Sequence, residues 1–420
     1  MKRALVVGAG ATGKAAALAL ANIGHPVTIF DPNDQPGTAG GALMLWSNAI
    51  TALDKLGVTC TDLLAQKAIA MQRMDFRTWE GDLLWSMAIN ELSAHAKAPS
   101  LLVDRRSLQS VLDEKLKGKV DPPLKKTFWN FRDHSTGVEA VFTDGTKATG
   151  DILLGAEGGE SKVRTRLFGP PRYRTTKQYV ACGYSRHASQ IAPVGACYCL
   201  MDSHHRFFAA GLPSWWDDNS DDKPDDKVRT YWGASVPTAL AQEKDPGCIS
   251  HNRPFSLAKL CDAFAGAAPE VDEVLAGSAD DACHPPRWWA VESRDLPPGR
   301  LWYRGRVGLL GDAAHLMTYD LGQGQAMGLE DAVVLGRSLS KHPDNPSAAL
   351  AAWQSARQYR VGVITELSYR AAQISTPGSE LLSWLRDLAT ANFYAPINER
   401  TMRYMLESDL GGGAYGAAPP

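Results

Sequence analysis

The chain has 420 residues, 44% hydrophobic and 21% charged, which is ordinary globular composition and enough for two or three packed subdomains. Its 44 basic and 46 acidic side chains leave a formal charge of −2, which excludes a broad electrostatic footprint for nucleic acid or an anionic membrane. Seven scattered cysteines, an odd number, form no disulfide framework and no zinc spacing, so reduced thiols and a cytoplasmic location are expected, with no metal.

Lys2-Arg3 followed by an apolar run has the outline of a secretory signal. Gly8, Gly10 and Gly13 interrupt that run, however, and no apolar stretch near it approaches the ~20 residues of a membrane span. Ala4–Val7 reads instead as a buried strand ending in the G-x-G-x-x-G sequence Gly8-Ala9-Gly10-Ala11-Thr12-Gly13. An Ala/Leu-rich helix over 14–23 follows, stopped by Gly24-His25-Pro26, and then a second strand, Val27–Phe30, ending at Asp31. Gly8 permits the tight turn, Gly10 lets backbone approach a pyrophosphate, and Gly13 lets helix and strand pack closely. The helix N-terminus, with Ala11 and Thr12, presents unpaired N–H groups to phosphate, and Asp31 can accept hydrogen bonds from ribose hydroxyls. The pattern establishes a dinucleotide site but leaves NAD and FAD open.

Farther along, Arg105 and Gln109 fall one helical turn apart on one face, and the planar fork of Arg105 suits a pyrophosphate. Val138–Phe142 and Lys147–Thr149 form a hairpin around Asp144-Gly145. Strands are expected at Phe207–Leu212 and Arg229–Val236, separated by a solvated acidic loop at 215–227. Val307–Leu310 is another buried strand, with Asp312 just past its C-terminal end, where open α/β sheets bind ligands. From 348 to 409 the pattern is helical, broken at Pro377 and Pro396, and the tail 411–420 reads as disordered.

The stretch Gly305–His315, continued by Leu321-Gly322-Gln323-Gly324 and Glu330-Asp331-Ala332, resembles the GD motif of the single-component flavoprotein aromatic hydroxylases, the family of para-hydroxybenzoate and salicylate hydroxylases. Asp151–Gly158 with Ser161 and Arg164 resembles the family's DG motif, with Glu157 in place of the usual Asp. Leu102–Gln109 resembles the segment whose Arg and Gln approach the cofactor. The resemblance runs over most of the chain. It implies a mixed α/β fold in which a Rossmann-like FAD-binding domain (1–70, 100–180 and 285–345) is interleaved with a β-sheet substrate domain (71–99 and 181–284), followed by C-terminal helices over 346–410. It also implies that Arg105, Gln109, Glu157, Gly158, Asp312, Gly322, Gln323 and Gly324 join the first glycines around FAD.

The implied reaction is monooxygenation of an aromatic or polycyclic small molecule. NADPH or NADH acts as a transient reductant and O₂ is activated as a flavin C4a-hydroperoxide, in a monomer or homodimer. The alternatives are a flavoprotein of the same fold whose FAD is structural, as in a non-redox cyclase, and a non-enzymatic FAD-binding module. Tyr319 stands where the family commonly has Pro, Leu316 replaces another frequent Pro, and Asp320 replaces a frequent Asn. Tyr319 and His315 are the candidate catalytic side chains. Trp46, Tyr184, His187, His205 and Trp232 are candidates for the substrate pocket.

Overall fold

The computed structural model describes residues 2–34, 41–214, 216, 229–241, 254–279, 288–392, 394–407 and 410. Most of the expected acidic loop and the whole expected tail lie outside these residues. The chain adopts the mixed α/β fold that its sequence implies, built around two large sheets.

The first sheet has six strands in the order Tyr303–Arg304, Val307–Leu309, Ile152–Gly155, Ala4–Val7, Val27–Asp31 and Leu124–Lys125. All neighbours are parallel except the first pair. The central strands are short Val/Leu/Ile/Ala runs because both faces are covered, one by helices such as Ala11–Asn22 and the other by the three-stranded sheet Phe128–Asp133, Val138–Phe142 and Lys147–Gly150, whose Phe142 packs on Phe30. The helix Ala11–Asn22 lies against the helix Gly324–Lys341. The approach is close enough that a Cβ on Gly328 would stand 2.2 Å from Thr12 Oγ1.

The second sheet has seven strands, ordered Trp288–Asp295, Arg174–Ser185, Thr230–Pro237, Arg206–Gly211, Ala196–Met201, Arg73–Arg77 and Leu83–Ala88. It is antiparallel apart from the pair Ala196–Met201 and Arg73–Arg77. The strand Arg174–Ser185 runs across the boundary expected at 180. One face carries a separate apolar core of Phe207, Trp232, Phe255, Phe264, Val271 and Val274. The opposite face looks toward the first sheet, with side chains alternating at period two. The hairpin at Val138–Phe142 and Lys147–Gly150 forms as expected.

Three helices close the described chain: Pro346–Ser375, Glu380–Asn392 and Tyr394–Leu406. The first break falls at Pro377 as expected. Pro396 does not break a helix; it sits in the first turn of the last one, where a missing N–H leaves no hydrogen bond unmade. Among the described residues no helix is long and apolar enough to cross a membrane, and no three His, Cys, Asp or Glu side chains gather in a way that could hold a metal ion.

Candidate active site

A cavity of about 700 Å³ runs from the first glycine-rich loop to the inner face of the seven-stranded sheet. Its walls include Gly8, Gly10, Ala11, Thr12, Asp31, Arg105, Glu157, Gly158, Asp312, Gly322 and Gly324, which distant parts of the chain bring together.

The glycines act in different ways. Gly8 has φ +105°, and a Cβ there would stand 2.4 Å from Ala156 O; at Gly13 it would stand 1.9 Å from Gly8 O. Both positions are fixed by backbone packing. A Cβ on Gly10 would meet nothing within 4 Å, so its bare backbone faces open space in the cavity. The helix that starts at Ala11 has no side-chain cap and no acid in its first turn, and the helix that starts at Gly324 is equally uncapped. Both therefore open unsatisfied N–H groups and positive dipole ends, which a pyrophosphate and an electron-rich ring system would fit.

Asp31 accepts from Ala9 N at 2.9 Å through Oδ2 and from Asn33 N and Nδ2 through Oδ1. It braces the glycine loop while lining the cavity, and Oδ2, which accepts once, retains a further acceptor position, whereas Oδ1 already accepts twice. Arg105 faces the same space from the start of its helix, and its Nε has no partner among the described residues. Gln109, one turn on, is buried away from the cavity. Asp312 lines the cavity past the end of its strand; burial pushes its carboxyl above the ordinary range, against the pull of His315, Arg105 and Arg164.

Glu157 folds back on its own chain. Its carboxylate accepts from Ser161 Oγ at 2.6 Å, Val163 N at 3.0 Å and Lys162 N at 3.2 Å, which caps the helix Lys162–Phe168. Burial raises its pKa even so. Arg164 donates through Nη1 to Asp312 O and Ala313 O and through Nη2 to Tyr173 Oη, tying the two motif segments to each other. Gly322 is left-handed at φ +61°. The carbonyl before it, Leu321 O, accepts from Trp46 Nε1 at 3.1 Å, so Trp46 both lines the cavity and holds this loop. Gln323 points away; its Oε1 accepts from Asn48 Nδ2 at 2.9 Å in the interior.

His315 is buried behind the cavity wall. Its Nε2 lies 2.6 Å from Asp331 Oδ2, and its ring packs against Trp302. Asp331 also accepts from Gly311 N and Arg357 Nε, while Arg360 grips Glu330 through Nε and Nη2. Burial would raise both acids, yet Arg357 and Arg360 around Glu330, and His315 and Arg357 around Asp331, hold them below their ordinary values. His315 therefore belongs to a buried ionic network that joins the helix Gly324–Lys341 to the helix Pro346–Ser375.

On the sheet side the cavity is lined by Met74, Phe76, Met87, Val180, Phe208, Tyr231 and Trp289, a largely apolar wall. One ion pair interrupts it: Arg206 Nη1 stands 2.6 Å from Asp320 Oδ1. Asp320 Oδ2 is buried without a partner among the described residues. Burial alone would depress the Arg206 guanidinium, but Asp320 holds it above its ordinary value. Tyr319, beside this pair, lines the cavity and is half exposed; desolvation within the site, then Asp312, pushes its phenol up to about 12.

Four of the five pocket candidates do not line the cavity. Trp232 lies in the far core and donates from Nε1 to Ser278 Oγ. His205 stacks near Trp79 and Phe264 and contacts Asp202. His187 packs beside Gly277. Tyr184 is on the inner face but spends its hydroxyl on Asp104 Oδ2 at 3.1 Å. Among the residues the sequence reading passed over are Tyr231, the neighbour of Trp232 in the other phase of its strand, and Phe208, both of which line the cavity. Arg206 opens a strand just before them.

The comparisons with known proteins agree with this geometry. A family model described as an FAD binding domain matches residues 1–219 and 291–367. The chain belongs to the FAD-dependent monooxygenases. It is similar to the aurachin C monooxygenase/isomerase of Stigmatella aurantiaca, with 31% identity over 91% of this chain and 92% of that protein. Identity with an FAD-dependent urate hydroxylase of Mycolicibacterium vanbaalenii is 30%, over 85% of each. A solved Klebsiella pneumoniae structure complexed with FAD and uric acid superposes with a TM-score of 0.80 at 25% identity, over 96% of both chains. The cofactor of this monooxygenase is FAD.

Proposed function

We propose that this monooxygenase uses NADH or NADPH to hydroxylate a compact aromatic or heteroaromatic compound that carries N–H or O–H groups beside a carbonyl. The observation that carries this reading is the Arg206–Asp320 pair, set in a largely apolar sheet wall with one carboxylate oxygen unpartnered among the described residues. A buried polar pair of this kind selects for a ligand that satisfies it, because an unmet donor or acceptor is costly. Asp320 Oδ2 accepts the substrate's N–H or O–H, and an N–H at the edge of the Arg206 guanidinium donates to a carbonyl. Urate, the compound named for one group of relatives, has this donor–acceptor edge.

The division of labour follows the two sheets rather than the expected boundaries: segments 1–70, 100–173 and 296–345 serve FAD, and segments 71–99, 174–284 and 288–295 serve the substrate; the helix Pro346–Ser375 covers the first, while the helix Glu380–Asn392 packs against the second. Gly10, Ala11 and Thr12 hold the pyrophosphate with Arg105, Asp31 the ribose, Asp312 the ribityl chain, and Gly322 and Gly324 the ring. When bound, FAD supplies the redox chemistry, passing two electrons from NAD(P)H to O₂ so that one oxygen atom enters the substrate and the other leaves as water. The apolar wall keeps water from competing. Tyr319 stays protonated at neutral pH and acts as a hydrogen-bond donor at the edge of the reacting face. No side chain is needed as a metal ligand or nucleophile.

The test is a screen of hydroxylated pyridines, purinones, quinolones and phenolic acids with the FAD-loaded enzyme, following NAD(P)H oxidation, O₂ uptake and hydroxylated product together. Tight coupling with at least one such compound is expected. Oxidation of NAD(P)H that stays slow, or yields only H₂O₂, with every compound would overturn the reading.

A further inference from the structure

The helix Glu380–Asn392 has its polar side turned inward. Ser383, Arg386 and Thr390, at helical spacing, are its buried residues. Arg386 donates to the carbonyls of Met201, Asp202 and Ser375 and to Ser383 Oγ, and both Arg386 and Thr390 line the cavity. The outward stripe is Leu381, Leu382, Trp384, Leu385 and Leu388, between 45% and 66% exposed. An amphipathic helix on a globular surface normally presents the opposite face to water. The neighbouring edge strand extends the patch with Leu83, 55% exposed.

Six large apolar side chains open to this extent present on the order of 500 Å². That is near the upper end for the largest patch on an ordinary monomer, and more than half of the about 800 Å² each partner buries in a standard interface. Charge narrows the choice of what covers it. Glu380 and Asp387 flank the stripe, Glu80 lies near Asp387, and the helix's single basic residue, Arg386, faces inward. A helix that rests on a bilayer carries Lys and Arg beside its apolar face, and anionic headgroups would be repelled here.

We propose that this face is the centre of a two-fold homodimer, with the helix Glu380–Asn392 packed against the same helix of a second copy. A patch on a two-fold axis must complement itself, and a ridge of Leu and Trp at spacings of three and four does so by interdigitation. Because the inward face of the same helix forms part of the cavity wall, pairing also stiffens that wall.

Sedimentation velocity on the FAD-loaded full chain, over a wide concentration range, tests this. A dimer is expected for the natural sequence. Leu385→Gln and the double substitution Trp384→Gln with Leu388→Gln should keep FAD and weaken dimerisation at least tenfold, since central apolar anchors dominate such interfaces. Leu381→Gln, farther out on the stripe, gives the second reading if either variant loses FAD. A monomer at every concentration, or a dimer indifferent to these substitutions, overturns the proposal. Flotation with phosphatidylcholine vesicles and with phosphatidylglycerol vesicles completes the test; a monomer that floats, and ceases to float in Leu385→Gln, overturns it in favour of a lipid surface.

Discussion

Arg206 Nη1 stands 2.6 Å from Asp320 Oδ1, so a strand of the seven-stranded sheet and the turn preceding the helix Gly324–Lys341 meet in one ion pair inside the cavity. The pair joins a strand of the second sheet to a segment that follows the last strand of the first. Asp320→Asn keeps the shape but removes the charge. The expected result is a ten- to hundredfold fall in kcat/KM, about 1.5–3 kcal/mol for a hydrogen bond to a charged group, carried mainly by KM. FAD content should not change. Steady-state kinetics beside flavin absorbance checks both, and an unaltered KM would remove Asp320 from substrate recognition.

Gly8 and Gly10 should answer substitution differently. Gly8→Ala drives a methyl to 2.4 Å from Ala156 O at φ +105° and should destabilise the protein by about 2–4 kcal/mol. Gly10→Ala meets nothing within 4 Å in the protein, so the thermal midpoint of the FAD-free chain should hold while FAD affinity falls about tenfold or more. Differential scanning fluorimetry and flavin titration separate the two.

The pKa values of Glu330 and Asp331 are held below their ordinary values, about 4.3 and 3.9 in an unfolded chain. Their contribution to stability is therefore full above those unfolded values and is lost as pH falls through the lower folded ones. The thermal midpoint should be level between about pH 5 and 7 and drop below about pH 4. Glu330→Gln should cost about 3–5 kcal/mol at neutral pH, because it leaves Arg360 and Arg357 buried beside a neutral amide. Thermal melts across pH check both statements.

The Tyr319 phenol is pushed up to about 12 by desolvation within the site and then by Asp312. It is a donor across the working range and cannot act as a base below pH 10. Tyr319→Phe should lower kcat/KM about tenfold through one lost hydrogen bond, without altering the shape of the pH profile between 6 and 10. A basic limb that vanished in Tyr319→Phe would assign the phenol a proton-transfer role instead.

How much of this was legible in the sequence depends on how local the cause is. The positive φ of Gly8 and the contact of Gly13 with Gly8 O arise within one turn of a few residues, Gly10 belongs to the same short pattern, and Asp31 follows at the end of the next strand, so all could be read directly; the approach of Ala156 to Gly8 could not. Asp312 and Gly322–Gly324 were legible through their resemblance to a known motif. The face of a strand was not. Trp232 and Tyr231 are adjacent, both are aromatic, and only the partner layer decides which of them turns to the cavity. His315 looked solitary because its partner, Asp331, lies on a separate helix that packs back over it. Glu157 could be seen to differ from the family pattern. That the longer side chain reaches the helix N-terminus at Val163 could be known only from the fold.

The order of the six-stranded sheet bears on biosynthesis. The strand Ile152–Gly155 finds one neighbour, Ala4–Val7, early, but its other edge pairs with Val307–Leu309. Until the ribosome has released that last segment, an apolar strand edge stays open and the wall of the cavity that carries Asp312 does not exist. Capture of FAD is therefore a late event in the life of the nascent polypeptide, and chaperone demand should be greatest while residues between those two strands are being translated.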